Sequence, residues 1–272
     1  MSLTNKTVLI TGGSRGIGKA IALKLAGAGA NIVIAAKTSD PHPKLEGTIH
    51  SAVKEIENAG GKAIAVQCDI RFEDQIQEAV KTAIDAYGGL DILINNASAI
   101  QLFPTELIEA KRYDLMQQIN VRGTFLMSQA CIPWLKKSEH AHILNLSPPL
   151  NLDPKWFGQH LAYTISKYGM SMIVLGLSEE LKPYKIAVNA LWPKTIIATA
   201  AIKNLPGGDH LLNMSRKPEI VADAAYSILK RDPAACTGHF YIDEEVLKEE
   251  GVQDFKSYSV DPAGILAPDI FI

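Results

Sequence analysis

The chain has 272 residues, a formal net charge of −2 and 47% hydrophobic residues. This length is sufficient for one large α/β domain, and the near-neutral charge provides no broad basic surface for nucleic acid. No window reaches the roughly 18 uninterrupted apolar residues that a membrane span needs. Because no secretory signal is visible either, we expect a cytoplasmic protein.

The cysteines and histidines do not form metal-binding motifs. Cys68, Cys131 and Cys236 occur singly, without C-x-x-C spacing, which favours a reducing compartment and argues against a zinc site. His140 and His142 alternate at the start of a predicted strand. We predict that this pair is solvated surface, and we predict no metal centre.

Short apolar runs alternate with helical segments along the chain. The predicted strands are Val8–Ile10, Asn31–Ala36, Ala63–Gln67, Asp91–Asn95, His142–Ser147, Lys185–Leu191 and His239–Ile242. The predicted helices are Gly16–Ala28, Leu45–Ala59, Glu73–Tyr87, Ala110–Lys137, Ala162–Leu181 and Pro218–Lys230. This alternation predicts an α/β fold with a parallel sheet of about seven strands and helices on both faces. No composition break divides the chain, so we predict a single doubly wound domain over residues 1–272.

A glycine-rich turn joins the first predicted strand to the first predicted helix. It comprises Thr11, Gly12, Gly13, Ser14, Arg15, Gly16, Ile17 and Gly18. A helix N-terminus offers unpaired N–H groups and a positive dipole end, where phosphate binds well. Glycine lets the backbone turn sharply and approach a pyrophosphate. The spacing differs from G-x-G-x-x-G, but the position after a first βα strand predicts a dinucleotide site.

The second predicted strand leads into Lys37, about 20 residues beyond the glycine turn. NAD-binding folds usually place an acidic residue there, which bonds the ribose 2′-hydroxyl. A cation suits a 2′-phosphate instead, and Arg15 can supply a second, bidentate donor. We therefore predict NADP(H), with ordinary surface charges as the alternative, and we expect the polar loop 39–44 to border the adenosine end.

Three further polar residues occupy positions of interest. Asp69 follows the third strand, where it can accept from an adenine amino group or cap a helix. Asn96 follows the fourth strand, where it can approach a ligand or bond to a neighbouring strand. Asn120 lies inside the predicted helix 110–137, where asparagine is unfavourable, and we interpret it as a sign of a local kink or of a water-holding carbonyl.

Tyr163 and Lys167 are the candidate chemical pair. Residues four apart on a helix share one face, so the Lys167 ammonium is expected near the Tyr163 phenol. A nearby cation lowers the pKa of a phenol from its usual value near 10. Tyr163 is therefore a candidate general acid/base. By spacing alone, such a pair is more often ordinary surface packing.

In combination, these motifs resemble the short-chain dehydrogenase/reductase family, whose fold is a Rossmann domain. The glycine turn matches its T-G-x-x-x-G-x-G motif, and Tyr163 with Lys167 matches its Y-x-x-x-K pair. The segment 95–98 resembles its N-N-A-G motif, with Ser98 in place of glycine. The resemblance implies an NADP(H)-dependent oxidoreductase for a carbonyl/alcohol pair, assembled as a homo-dimer or homo-tetramer.

The resemblance also implies individual roles. Gly12 to Gly18 would hold the pyrophosphate, with Asn96 beside them, and Asp69 would meet the adenine. Tyr163 would protonate the carbonyl oxygen, or take the alcohol proton in the reverse direction. Lys167 would hold the nicotinamide ribose and lower the pKa of Tyr163. Asn120 would seat a water molecule that relays protons to that lysine.

The sequence departs from the family pattern in three places. The family's catalytic serine is usually the second of a Ser-Ser pair, which here reads Ser147-Pro148. Because proline has no donor, either Ser147 takes the role or stabilisation of the substrate oxygen is weaker. Lys194 replaces a usual glycine, and Asp243-Glu244-Glu245 replaces Asp-Gly-Gly. Thr195 is still expected to face the carboxamide.

The predicted substrate lining is apolar and aromatic, in segments 148–150, 155–157 and 196–214. It favours a lipophilic carbonyl or alcohol, such as a fatty-acyl or steroid-like molecule. Alternatively, Trp156 and Phe157 pack a loop or a subunit contact. Two other functions stay open: a nucleotide- or lipid-binding protein that has lost catalysis, and a hydratase or epimerase that consumes no net cofactor.

Overall fold

A computed structural model describes residues 1–41, 46–205 and 207–272. Within these residues the chain forms seven strands, all paired in parallel, in the order β3-β2-β1-β4-β5-β6-β7. The strands are β1 (Thr7–Thr11), β2 (Asn31–Ala36), β3 (Lys62–Gln67), β4 (Ile92–Asn95), β5 (His142–Asn145), β6 (Ala187–Trp192) and β7 (Phe240–Ile242). The predicted doubly wound α/β fold is confirmed.

Helices cover both faces of the sheet. Their bounds are α1 (Gly16–Gly27), α2 (Ile49–Asn58), α3 (Glu73–Tyr87), α4 (Ala110–Met116), α5 (Thr124–Leu135), α6 (Lys155–Gly158), α7 (Leu161–Glu180), α8 (Ala200–Lys203), α9 (Gly208–Asn213), α10 (Glu219–Leu229) and α11 (Asp243–Glu249). Short 3₁₀ turns occur at Thr105–Leu107, Lys182–Tyr184 and Lys256–Tyr258. Residues 42–45, in the predicted adenosine-side loop and at the predicted start of α2, lie outside the described part of the chain.

Two cores form because successive strand residues point to opposite faces. Val8 and Ile10 of β1 pack in the core beneath α1, α2, α10 and α11. Leu9, between them, packs in the core beneath α3, α5 and α7. All residues of β1, β4 and β6 are buried, which accounts for their nearly continuous apolar sequences.

The predicted helix 110–137 is interrupted. A π-helical turn, Gln117–Gly123, separates α4 from α5 and contains Asn120. Such turns are rare and often lie at functional sites. The close packing of Gly123 helps to explain the irregularity, because a Cβ there would lie 2.6 Å from Ile70 Cδ1. The kink that we inferred from Asn120 is therefore present as this turn.

The prediction that His140 and His142 are solvated is wrong. Both side chains are buried: His142 is the first residue of β5, and His140 lies two residues before it. Their ring centroids are 4.7 Å apart. His140 Nε2 hydrogen-bonds with the Leu229 carbonyl at 2.7 Å, whereas neither His142 ring nitrogen has a hydrogen-bond partner within residues 1–41, 46–205 and 207–272. Burial lowers the pKa of His142 to about 3. The alternation of the two histidines suggests a solvated surface. This is incorrect because β5 lies inside a sheet that helices cover on both faces.

Replacement of His142 by leucine should make the protein less sensitive to acid. The unfolded chain takes up a proton near pH 6.5, whereas the folded chain does so only near pH 3, so stability falls as the pH drops between these values. At pH 4.5 the loss for wild type reaches at most about 3 kcal/mol, and His142→Leu should avoid it. Urea unfolding between pH 7 and 4.5 measures this, with the exposed His50→Leu as control. Equal pH slopes for His142→Leu and wild type would contradict the assignment.

Candidate active site

A cavity of about 420 Å³ lies at the carboxyl ends of the central strands, beside the start of α1. Its lining includes eight predicted cofactor residues: Gly12, Ser14, Arg15, Gly16, Ile17, Lys37, Asp69 and Asn96. The other two glycines of the turn lie beside it, with Gly13 against Ile34 and Gly18 against Asn96. The structure thus brings the phosphate, ribose and adenine candidates to one place.

The glycines of the turn are required by its geometry. Gly12 has a φ of +67°, and a Cβ there would lie 2.9 Å from the Ala97 Cα. A Cβ on Gly18 would lie 2.4 Å from Asn96 Nδ2 and 2.7 Å from the Gly12 carbonyl oxygen. Side chains at these positions would therefore force the turn apart from Asn96 and Ala97, the residues that follow β4.

Asn96 fastens the glycine turn to the neighbouring strand. Its Nδ2 donates to the carbonyl oxygens of Thr11 and Gly12, each at 3.0 Å. Thr11 Oγ1 accepts in return from the backbone N–H groups of Asn96 and Ala97, at 3.0 and 3.1 Å. The predicted bond between neighbouring strands is confirmed, and it makes Asn96 a support for the turn.

Donors remain available at the phosphate end of the cavity. Among the described residues no side chain caps the start of α1, so the N–H groups of its first turn have no capping oxygen there. Arg15 donates from Nη2 to the Gly47 carbonyl at 2.7 Å, while its buried Nε has no partner in the described part of the chain. Lys37 is exposed at the cavity wall. These donors suit an anionic ligand.

Asp69 is held by Arg71. The guanidinium donates to both carboxylate oxygens, at 2.6 to 3.1 Å. Burial alone would raise the pKa of Asp69, but the hydrogen bonds and charge of Arg71 bring it below its usual range. The alternative of a helix cap is wrong, because α3 begins at Glu73 with Phe72 as its N-cap residue.

Tyr163 and Lys167 lie buried on α7, with 5% and 3% of their surfaces exposed. Lys167 Nζ donates to the Leu146 carbonyl at 2.8 Å, and it lies 5.1 Å from the Trp192 ring centroid. This bond holds the ammonium at the end of β5, beside Ser147. Burial lowers the pKa of Lys167 to about 7, against the opposing effect of Asp269.

The predicted lowering of the Tyr163 pKa is not found. Burial raises this pKa, and the Asp269 carboxylate raises it further. The ring of Phe271 stacks on Tyr163, with centroids 6.2 Å apart and planes inclined by 24°. Helical spacing correctly placed an ammonium on the same face, but it could not reveal that water is excluded. In this state Tyr163 is a neutral phenol.

The side chain of Asn120 has no free hydrogen-bond donor or acceptor for the predicted water. Its Oδ1 accepts from the Ala99 N–H and the Ser98 hydroxyl, at 2.8 and 3.2 Å. Its Nδ2 donates to the Ala99 carbonyl and the Ser166 hydroxyl, each at 2.9 Å. The side chain therefore ties the segment after β4 to α7. A water relay through Asn120 would have to use its main-chain carbonyl.

The Ser147-Pro148 departure leaves a hydroxyl available. Ser147 Oγ is fully buried and has no hydrogen-bond partner in the described part of the chain. The Pro148 carbonyl accepts from Ser171 Oγ at 2.6 Å, which fixes this corner to α7. Thr195 Oγ1 is likewise buried without a partner. Buried hydroxyls normally find partners, so both sites fit a polar ligand.

The two other departures from the family pattern pair with each other. Lys194 Nζ contacts Glu244 Oε1 at 2.8 Å, and the Lys194 N–H donates to Asp243 at 2.9 Å. Arg216 and Lys248 also contact Glu244, at 2.7 and 2.6 Å. Burial opposes ionisation, but these three cations lower the pKa of Glu244 to about 2. The sequence contained both halves of this cluster without showing that they meet.

Segment 267–272 packs over the Tyr163 side of α7, and no motif predicted it. Thr195 and Pro268 form an antiparallel bridge, and the Asp269 N–H donates to the Lys194 carbonyl at 3.0 Å. Trp192 Nε1 donates to the Ile270 carbonyl at 2.9 Å. Consequently, the lining of the 420 Å³ cavity does not include Tyr163, Lys167 or Ser147.

Residues 6–207 match the family model for short chain dehydrogenase. The chain belongs to this family. It is 61% identical to rat (Rattus norvegicus) and 60% identical to human (Homo sapiens) hydroxysteroid dehydrogenase-like protein 2, over 270 residues and 99% of its length. The aligned region spans 51% of the rat protein and 64% of the human one. The sequences of segments 34–37, 147–152 and 190–195 resemble those of hydroxysteroid dehydrogenase-like protein 2. The comparison over the whole chain confirms this resemblance.

Solved structures agree with this assignment. A putative dehydrogenase from Xanthomonas campestris is 52% identical, with a TM-score of 0.97 and coverage of 100% of this chain and 99% of that one. A short chain dehydrogenase from Mycobacterium thermoresistibile is 49% identical, with a TM-score of 0.94 and coverage of 100% and 96%. A metagenomic short-chain oxidoreductase solved with NADP is 25% identical, with a TM-score of 0.73 and coverage of 89% and 98%.

The described residues contain no group of three or more His, Cys, Asp or Glu side chains arranged to hold a metal ion. Nor does that part of the chain contain a helix with the length and apolar character needed to cross a membrane.

Alanine at Gly18 should weaken dinucleotide binding at least tenfold, about 1.4 kcal/mol. The added Cβ collides with Asn96 Nδ2 and the Gly12 carbonyl, which breaks the bond network that shapes the turn. Gly27→Ala is the matched control, because it lies on the same helix with nothing within 4 Å of the new Cβ. Fluorescence titration with NADPH measures the effect. Unchanged affinity in Gly18→Ala would show that the turn does not bind phosphate.

Proposed function

We propose that this protein is an NADP(H)-dependent oxidoreductase acting on a lipophilic carbonyl/alcohol pair, with Tyr163 as general acid/base. The observation that carries the proposal is the buried Tyr163–Lys167 pair beside the unpartnered Ser147 hydroxyl. These three groups occur in a chain of the short chain dehydrogenase family, which also has a glycine-lined cavity at the carboxyl ends of its strands.

The described residues fit a nicotinamide dinucleotide. The Gly12 and Gly18 positions tolerate no Cβ, and the start of α1 presents uncapped N–H groups at the cavity. NADP(H) is favoured by Lys37 and by Arg15, whose Nε has no partner among the described residues; both are donors suited to a 2′-phosphate. Asp69 lines the same cavity and suits an adenine amino group.

A bound nicotinamide would supply or accept the hydride. In the reductive direction, Tyr163 donates its hydroxyl proton to the carbonyl oxygen, and Ser147 has a free donor for the same oxygen. The Lys167 ammonium stabilises the resulting phenolate, because opposite charges attract strongly where water is excluded. Its bond to the Leu146 carbonyl keeps it in position.

The surroundings of Tyr163 support a lipophilic substrate. Met116, Tyr168, Trp192 and Phe271 form one buried cluster with it, and Trp156 packs against that cluster. An oxygen function held among apolar side chains is the usual arrangement for such a substrate. The predicted lining by 155–157 is thus consistent with the structure, whereas Pro206 in the predicted segment 196–214 lies outside the described residues.

One observation favours a second candidate, a nucleotide- or lipid-binding protein without catalysis. Tyr163 is 5% exposed and lies under Phe271, and burial raises its pKa. If segment 267–272 never leaves this position, no carbonyl reaches the phenol. Dinucleotide binding would then persist without turnover.

We also propose that the protein assembles with copies of itself. Leu161, Ile165, Met172 and Leu175 form an apolar row on α7, with 36% to 60% of each residue exposed. The spacing of these positions places them along one side of the helix, and Phe125 of α5 is 47% exposed. A second copy would cover this surface.

We propose the reducing cytoplasm as the location of the protein. The three cysteines are free and buried, which fits a reducing compartment.

Tyr163→Phe should keep dinucleotide affinity within twofold and reduce turnover by about a thousandfold or more, in line with the loss of a general acid. The substitution removes only the hydroxyl, which has no hydrogen bond to another described residue. NADPH oxidation with a panel of apolar ketones measures turnover, and Tyr184→Phe, on the exposed surface, is the control. Near-normal turnover in Tyr163→Phe would refute the mechanism. Absence of turnover in the wild type with every ketone would favour the binding protein.

Lys37→Glu should weaken NADPH binding at least tenfold, about 1.4 kcal/mol, and leave NADH binding unchanged or tighter. A carboxylate at this position repels a 2′-phosphate but can accept a hydrogen bond from a 2′-hydroxyl. Lys54→Glu, exposed on α2 and outside the cavity lining, is the control. Parallel fluorescence titrations with both dinucleotides test this. An equal effect on both would remove the basis for the NADP(H) preference.

A further inference from the structure

Four aromatic side chains surround the ring of Phe271. Its centroid lies 5.9 Å from that of Trp156, 6.2 Å from Tyr163, 5.2 Å from Tyr168 and 6.0 Å from Trp192. We call Trp156, Tyr163, Tyr168 and Trp192 the aromatic cage. Phe271 is 2% exposed, so its ring fills the cage almost completely.

We propose that the aromatic cage is a binding subsite for a flat, ring-bearing group of the substrate, and that Phe271 occupies this subsite until the substrate replaces it. The inference rests on the proposed function, because it takes Tyr163 as the acid/base. A carbonyl must approach the Tyr163 hydroxyl to receive its proton. Since that residue is almost fully covered and Phe271 stacks on its ring, segment 267–272 stands in the way.

The attachment of the segment suits reversible displacement. Ala267 donates to the Met214 carbonyl and Asp269 to the Lys194 carbonyl, each at 3.0 Å, and Trp192 Nε1 donates to the Ile270 carbonyl. Segment 267–272 is therefore held by a few separate hydrogen bonds and is not part of the seven-stranded sheet. Phe271 itself has a φ of +78°. This left-handed conformation is strained for a bulky residue, so departure from the cage relieves strain.

The shape and chemistry of the cage indicate the ligand class. Its rings are inclined by 24° to 58° to Phe271, an arrangement that presents both faces and edges to a ring of similar size. Trp156 Nε1 is buried without an acceptor among the residues that the structure describes, so a polar substituent on the ligand can also be bound. These features favour an aromatic or alicyclic ketone or alcohol over an extended acyl chain.

Calorimetric titration of the full chain with acetophenone tests the competition directly. Phe271→Ala should bind acetophenone at least tenfold more tightly than wild type, because no side chain has to leave the cage. The matched control is Ile265→Ala, in which a residue that is 81% exposed is replaced nearby; it should behave as wild type. The gain should be smaller for 2-octanone, an extended ketone with the same number of carbons. Equal affinity of wild type and Phe271→Ala for acetophenone would overturn the proposal.

Hydrogen exchange on the unmodified protein provides a second test that does not depend on the folding of a variant. Saturating acetophenone should speed exchange of the amides in segment 267–272, because their hydrogen bonds break when Phe271 leaves. A ligand bound elsewhere would leave this exchange unchanged or slow it, and either result would overturn the proposal.

Turnover separates the two levels of inference. If acetophenone binds in the cage but no apolar ketone supports Tyr163-dependent NADPH oxidation, the subsite stands and the redox function fails. The opposite result is turnover that depends on Tyr163, with no change in acetophenone affinity in Phe271→Ala and no faster amide exchange in segment 267–272. In that case the redox function stands and the subsite fails.

Discussion

Parallel strands all end at the same edge of a sheet, and the candidate site depends on this constraint. The strand order reverses between β1 and β4, which opens a crevice at this edge. The glycine turn between β1 and α1 projects into that crevice. Asn96, at the end of β4, holds that turn through two carbonyl oxygens. At the end of β5, Leu146 provides the carbonyl that holds Lys167. One edge thus positions both the cavity and the Tyr163–Lys167 pair.

Local patterns were sufficient to predict the repetitive parts of the fold. Apolar runs bounded by turns located all seven strands, and β2 and α3 were predicted with the bounds that the structure shows. The glycine turn and the Lys37 position were found because their chemistry depends on residues close in sequence. The helix 110–137 was predicted as continuous, since propensity does not reveal the π-helical turn around Asn120.

Interactions between distant segments escaped prediction. The sequence showed Lys194 and Glu244 as separate departures, but only the fold brings their side chains within 2.8 Å. The cover over Tyr163 depends on residues more than 100 positions away, and the burial of His142 depends on packing from both sides of the sheet. For Tyr163 and His142 the missing information was desolvation, which reversed the expected pKa direction for Tyr163.

The separation of the open cavity from the covered Tyr163–Lys167 pair bears on the order of events in the proposed reaction. A dinucleotide can reach Gly12 and Arg15 while segment 267–272 still lies over Tyr163, because none of the cavity lining belongs to that segment. Under the proposed function, dinucleotide binding therefore needs no displacement of segment 267–272, whereas carbonyl binding does. Until the carbonyl displaces that segment, the phenol proton stays shielded from bulk solvent.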